Sequence, residues 1–460
     1  MHVKTMTSSI LAALLLLAAP AWGESMDAAQ LQMAITPMAR GPQIDVLPLY
    51  KPDNRTDFKT IGDDDSIRET DVWSRIRSGY TIPDMDNALV AKHVTWYSTR
   101  PDHIAITTAR ASRYLFHVVQ ELQKRGMPTE LALLPFIESG FNPLAFSSAS
   151  AAGMWQFIPA TGRSFNLKQN MFKDERRGVV ASTDAALSYL QKLYGMFGDW
   201  QLALAAYNWG EGSVQRAIKK NESLGKPTDF ESLADLMPSE TRNYFPKLQA
   251  MKNIIANPAQ FGLTLPLIDN QPYFTTVDKT SDIDITIAAQ LAELSVDEFK
   301  ALNPQFKRPV ITGNQNTQIL LPKENAEKFH LNLSRWGHAL STWTTHKITS
   351  ARERIDTLAS KYDTTPEVLR QANNIPQKML LVAGSTILVP RTSTSLNVDI
   401  TQEITDNATL LFAADRPERK LRAVTVRSSS GNKGKTAAPI SLVKARVSRS
   451  GKVVTKRSSR

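Results

Sequence analysis

Between Asp71 and Asn257 apolar residues return every three or four positions, the spacing that places them on one side of an α-helix. Ala186, Leu190, Leu193 and Phe197 mark one such face, on a helix predicted to start near Ser182 or Thr183. Leu202, Ala205 and Ala206 open another after Asp199, and Tyr244, Leu248, Met251 and Ile255 mark a third. β-Branched runs are scarce, so this stretch reads as all-helical. A linker holding Pro258, Pro266 and Pro272 follows. Beyond it two segments resemble one another: Ile285, Ala289, Phe299 and Asn303 align with Ile355, Ala359, Leu369 and Asn373. Each ends in a strand-like run, 318–322 and 385–390, closed by proline. The pattern predicts a small helix–helix–strand module, present twice.

Polar sequence flanks these units. Residues 24–70, broken by Pro37, Pro42, Pro48 and Pro52, read as an extended arm. Residues 392–460 turn Ser/Thr-rich and then basic, a tail too polar to offset its ordering entropy. At the other end, residues 1–23 read as a secretory signal. His2 and Lys4 precede an apolar run over 10–19, and Ala21 and Gly23 are small where cleavage before Glu24 requires it. The apolar run falls short of the ~20 residues of a spanning helix. An exported chain is expected.

Composition narrows the classes. A chain of 460 residues, 42% hydrophobic and 22% charged, is neither collagen-like nor mostly disordered, and calls for several domains. The net charge of +11 suggests a polyanion partner until it is located. Residues 415–460 hold 14 Lys and Arg against 2 Asp and Glu, which leaves the body near neutral and a nucleic-acid partner unsupported. The tail reads equally as a solvated extension or as an electrostatic tether to an anionic wall or membrane surface. The absence of cysteine removes disulfides, thiolate metal sites and a cysteine-linked lipid anchor. Seven histidines without an HExxH pair disfavour a metal enzyme.

One carboxylate stands apart. Across the 32 residues 131–162, Glu138 is the only ionisable side chain. On a helix Leu131, Leu134 and Glu138 share a face, so the carboxyl projects from an apolar stripe before the turn at Ser139-Gly140. Such surroundings disfavour the ionised form, and a neutral carboxylic acid near pH 7 is a proton donor. The plain alternative is a Glu that caps its own turn. The small residues of 147–153 would let a backbone approach a ligand, and Trp155 reads equally as a sugar-stacking ring or as core. Residues 206–214 gather a phenol, an amide and an indole around two glycines, with Asn208 open to a capping role. Glu211, on that glycine turn, reads as a cap.

These residues resemble a known family. Ile137-Glu-Ser-Gly-Phe-Asn-Pro143, the stretch from Ala152 to Gly162, Ala206-Tyr-Asn-Trp-Gly-Glu-Gly212 and Glu240-Thr-Arg-Asn-Tyr-Phe245 stand in the order of the soluble lytic transglycosylases, which have a goose-type lysozyme-like domain. The membrane-bound lytic murein transglycosylase D type is the nearest in pattern, from Asp71 to about Ile255. The repeats resemble lysin motifs (LysM), βααβ modules that bind N-acetylglucosamine-containing glycans. The first copy is the more degenerate, and the second lacks the usual Gly-Asp-Thr opening at Thr349-Ser-Ala-Arg352. Val424-Thr-Val-Arg-Ser428 hints at a third opening but is counted with the tail.

The resemblance implies a multidomain chain: an all-α lysozyme-like domain over 71–257, then α+β (βααβ) LysM-like modules over 273–322 and 344–391. It implies peptidoglycan glycan strands as partner and no cofactor or metal. Glu138 would protonate the bond between N-acetylmuramic acid and N-acetylglucosamine, the substrate's N-acetyl group would meet the charge at C1, and the C6 hydroxyl would close a 1,6-anhydro ring. By family position Ser147 would hydrogen-bond near the carboxylate or the N-acetyl group, and Gln156, Tyr207, Asn208 and Tyr244 would line the sugar subsites. Met154 and Trp155 stand where much of the wider family has Leu-Met, which bears on subsite shape. A hydrolase on the same fold and a non-catalytic wall-binding protein are the alternatives.

Overall fold

The computed structural model describes residues 71–279, 281–312, 317–392 and 398–414. The predicted signal and arm, the chain from 415 onward and the possible third opening at 424–428 lie outside the described residues.

Residues 71–268 form a helical lobe. It begins with α1 (Val72–Ser78), α2 (Ala88–Ser98), α3 (Pro101–Ala111) and α4 (Leu115–Lys124). Asp71 starts α1 by accepting from the Ser74 amide, and Asn87 starts α2 by accepting from Leu89 and Val90. A 3-10 turn, Thr129–Leu133, runs into α5 (Leu134–Glu138), and α6 (Pro159–Ser164) follows a long loop. The long α7 (Val179–Phe197) stops at Gly198, whose φ of +66° ends the helix, and Asp199 caps α8 (Trp200–Trp209). Then come α9 (Glu211–Ser223), α10 (Phe230–Leu233), α11 (Ser239–Arg242) and α12 (Tyr244–Ala256). α7 starts a few residues before the predicted 182–183, because Val179 is itself buried.

The lobe packs α12 against α2 and α7 against α8, around Trp73, Tyr114, Trp155 and Phe245. Its core does not end at Asn257. Leu263, Leu265 and Ile268 are buried in it, the Trp73 indole N–H donates to the Pro266 carbonyl (2.8 Å), and the Val72 amide to that of Ile268 (2.9 Å). What reads as a proline linker is a strap over α1. Prolines announce a break in secondary structure, not a break in packing.

Two modules follow. The first holds β1 (Phe274–Asp278), β2 (Ile283–Asp284), α13 (Ile285–Leu291), α14 (Val296–Leu302), β3 (Val310–Ile311) and β4 (Gln318–Pro322). Next is α15 (Lys323–Ser334), which adds Ala326 and Phe329 to that core. The second module repeats the order with β5 (Trp343–Lys347), β6 (Arg352–Glu353), α16 (Ile355–Lys361), α17 (Pro366–Asn373), β7 (Met379–Val382) and β8 (Thr386–Pro390). β1 pairs antiparallel with β4, and β5 with β8, in matching register: Phe274 opposite Pro322 and Trp343 opposite Pro390. The opening strands escaped the helix–helix–strand reading because their mixed Thr, His and Lys lack an unbroken apolar run.

The repeated asparagines explain the internal similarity. Asn303 donates to the carbonyls of Phe299 and Leu320 and accepts from the Leu320 amide; Asn373 does the same with Leu369 and Leu388. Each amide ties its helix to its closing strand. Asn373→Ala would leave the Leu388 N–H buried without a partner, so thermal or denaturant unfolding should show a loss of about 2–4 kcal/mol, with Asn303→Ala similar.

Part of the stretch expected to be tail, from residue 392, is ordered structure. α18 (Gln402–Asn407) and β9 (Phe412–Ala414) are formed, and β9 pairs with β7. Overall polarity hides a few apolar anchors: Ile400 is buried with Met171, Phe172, Val310 and Leu388. That cluster joins the lobe to both modules. Beside it the Arg308 guanidinium is buried, donating to the Met171 carbonyl of the lobe (3.0 Å) and the Ala372 carbonyl of the second module (3.3 Å).

Candidate active site

Glu138 is the last residue of α5. The residues leading to it, 129–136, are buried throughout, because the chain winds as a 3-10 turn before becoming α-helical. A single apolar face, as continuous helical spacing suggests, is therefore widened into an apolar sheath. Gly140 (φ +58°) and Phe141 (φ +54°) then turn the chain away. A β-carbon on Gly140 would stand 2.9 Å from Thr107 Cγ2, so the turn needs glycine for space as well as for φ.

The carboxyl is half-buried at the wall of a cleft of about 710 Å³. Its Oε1 accepts a short hydrogen bond from the Tyr244 hydroxyl at the start of α12. Burial pushes the Glu138 pKa up to about 7; the Tyr244 bond opposes this, the Glu240 charge adds to it, and Lys247 opposes it. The acid is thus poised between its two forms near neutral pH. The phenols of Tyr244 and Tyr207 are held well above the usual range by burial and by the Glu138 charge, so both remain O–H donors.

Two bonds fasten the neighbouring loop. Ser139 Oγ donates to the Met154 carbonyl (2.9 Å), and Tyr207 Oη to the Trp155 carbonyl (2.9 Å). Arg176, itself buried and paired with Asp174, donates to the carbonyls of Ser150 and Phe157. Gly153 (φ +83°) lies so close to the Arg176 carbonyl that a β-carbon would fall 1.9 Å from its oxygen. On the other side of the acid, Asn208 accepts from Thr241 Oγ1 (2.7 Å) and donates to Glu240 (3.2 Å), which joins α8 to α11.

The sequence-predicted residues divide. Tyr244 reaches Glu138, and Tyr207 and Asn208 brace the elements around it. Trp155 does not present a ring to a sugar: it is fully buried, with its indole N–H donating to Thr183 Oγ1 (3.1 Å). Met154 is likewise enclosed. Ser147 closes its own turn, accepting from the Ala151 amide (3.0 Å), and Gln156 folds back onto the Gly153 carbonyl (2.7 Å). Neither lines the cavity at Glu138; Ser139 does. Glu211 serves structure, accepting from Tyr189 and Lys192 at the start of α9. Thr183→Val would strand the Trp155 N–H and should cost about 1–3 kcal/mol in an unfolding titration.

Two features escaped the sequence reading. Glu240 was not seen as a neighbour of the acid, although its charge acts on Glu138 across a separation of 102 positions along the chain. The far wall of the cleft, from α2 and α3, brings His93, Trp96, Tyr97 and His103 to the site. Its only sequence cue is the density of aromatic and imidazole groups over 93–103. Among the described residues no group of three or more His, Asp and Glu is placed to hold a metal ion.

Comparison with known proteins finds family models that match three stretches of the chain. The model described as Transglycosylase SLT domain fits residues 118–230, which include Glu138 and the Tyr207-Asn208 motif. Residues 273–337 fit the model described as Lytic transglycosylase MltD, LysM-like domain, and 355–390 the LysM domain. The chain carries a transglycosylase SLT domain followed by LysM-type modules. Over 265 residues, 57% of this chain and 58% of the relative, it is 38% identical to membrane-bound lytic murein transglycosylase D of Escherichia coli strain K12. Over 125 residues, 27% of this chain and 60% of the relative, it is 44% identical to a proposed tributyltin chloride resistance protein of Alteromonas sp. strain M-1. The chain thus spans roughly three fifths of the length of these curated relatives. A solved structure of an inactive mutant of lytic transglycosylase Slt from Pseudomonas aeruginosa is 24% identical with a TM-score of 0.26, covering 31% of this chain and 24% of that one; a superposition so slight carries no argument. The match to 273–337 takes in α15, the helix whose Ala326 and Phe329 join the core of the first module.

Proposed function

We propose that the protein is a peptidoglycan lytic transglycosylase that cleaves the β-1,4 bond between N-acetylmuramic acid and N-acetylglucosamine and leaves a 1,6-anhydro end. One observation carries the reading: a single carboxyl group lines the cleft, pushed up to about 7 and bonded to a phenol. Such a group serves as acid and then as base without a second carboxylate beside it. Protonated Glu138 gives its proton to the bridging oxygen as the C1–O bond breaks, and the N-acetyl carbonyl oxygen bonds to C1. The Glu138 carboxylate, steadied by Tyr244, then removes the C6 hydroxyl proton. O6 bonds to C1, the acetamido oxygen leaves, and no water is consumed.

Glu240 lies within electrostatic reach of Glu138, but it is exposed and accepts from Asn208, so we assign it to bracing α8 against α11. The LysM-type modules hold glycan strands, and the chain acts in the cell envelope, with the leader-like residues 1–23 directing export to the periplasm. Among the described residues no helix is long and apolar enough to cross a membrane. Mass spectrometry of the muropeptides released from purified sacculi tests the reaction. Anhydro-ended products are expected; reducing-end products, heavier by one water per cut, would assign a hydrolase instead.

A further inference from the structure

Beyond Glu138 the cleft runs along α2 and α3, where its lining changes sign. Lys92, His93, Arg100, His103, Arg110 and Lys247 line the cavity, and Glu138 is the only carboxyl group among its lining residues. The cations begin at the acid itself. The Arg110 guanidinium lies 3.7 Å from the place of a β-carbon on Gly140, two residues past Glu138. Lys247 follows Tyr244 by about one turn of α12. His93 Nε2 is 2.8 Å from Asn243 Oδ1, beside Tyr244. Farther out, the Arg100 guanidinium stacks 4.6 Å from the centre of the Trp96 ring and donates to the Trp96 carbonyl (2.9 Å), a fixed fork beside an indole that is 41% exposed.

No ion pair joins Lys92, Arg100, Arg110 or Lys247 to a carboxylate among the described residues. Burial lowers the pKa of both imidazoles, and the cations lower them further: Lys247 and Lys92 at His93, Arg110 and Arg100 at His103. Uncompensated like charges around a concave wall repel one another and focus their field on an incoming anion. In the substrate of the proposed reaction, the ring whose C1 is attacked also carries the lactyl ether to a peptide stem. That stem is an acidic peptide and must leave the cleft close to Glu138.

We propose that the wall of α2 and α3 binds the carboxylates of this peptide stem, so that the protein cuts stem-bearing strands in preference to bare glycan. The inference rests on the lytic reading of Glu138. Arg100→Gln with Arg110→Gln is the variant of choice, because Lys247 acts on the acid directly. Full-length protein is assayed on matched glycan strands with and without stems, the latter made by amidase treatment, and kcat/KM is compared as a ratio. The wild type should favour stem-bearing strands by about tenfold or more, and the double variant should bring the ratio to within about twofold of unity. Raising salt from ~50 to ~500 mM should compress the wild-type ratio and leave that of the variant in place. Binding of each strand type to the Glu138→Gln protein, with and without the two Arg changes, reads the same preference without turnover. A wild type with no preference, or a double variant with the wild-type ratio, overturns the proposal. Reducing-end products, or no products, from both strand types would instead overturn the lytic reading.

Discussion

Glu138→Gln is expected to lower the release of anhydro-muropeptides by about 10²–10⁴-fold, the range over which a positioned acid–base group contributes. Glutamine keeps the volume of the side chain and still accepts from the Tyr244 hydroxyl, so the buried sheath of Leu131, Leu134 and Phe136 is undisturbed. What is lost is the proton that must reach the leaving oxygen. The same substitution has a signature in stability. A glutamate raised to about 7 in the folded chain binds its proton more tightly there than when unfolded. Its contribution is complete below the ordinary glutamate range and is lost as pH climbs through about 7. The variant should lack this loss, so its melting temperature should gain on the wild type between acidic and mildly alkaline buffer. Undiminished turnover of sacculi by the variant would remove Glu138 from the reaction.

Tyr244→Phe should separate the two halves of that acid's work. The hydroxyl favours the charged form of Glu138, so its removal drives the carboxyl pKa higher still. The alkaline limb of kcat/KM, set near 7 by the acid, should therefore move to higher pH. The plateau should fall, by about 10–100-fold, because the carboxylate that must act as base has lost its donor. A pH profile of product release across the neutral range measures both. A limb that stays in place with the plateau intact would show that the phenol has no part in tuning the acid.

The half-buried Glu138 carboxyl was legible because the stretch of sequence around it, 131–162, holds no other ionisable side chain. The repeated asparagines were legible for a similar reason: a polar residue recurring in an apolar frame has a job, here the fastening of helix to strand. Aromatic residues were not. Trp155 in a small-residue loop reads the same whether it faces solvent or core, and only Thr183, from α7, decides it. That Ser139 and not Ser147 lines the cavity could not be read from the sequence, because a turn can be read but its aim cannot. The α2–α3 wall and Glu240 reach Glu138 by tertiary folding alone. The segment 398–414 was hidden by its own composition, in which Ile400 supplies an anchor that an average over 69 residues dilutes away.

Arg308 carries a consequence for how the proposed enzyme would travel. A guanidinium shut away from water, held by one carbonyl from the lobe and one from the second module, fixes those bodies to each other as a mortised joint does. Prying them apart would give up both carbonyl bonds and open the apolar cluster of Met171, Phe172, Val310, Leu388 and Ile400 to water. Slack in the connecting peptide therefore does not set the span between grip and blade. On the proposed function, a polymer clasped by the repeats would meet Glu138 at a constant stride, independent of its overall length.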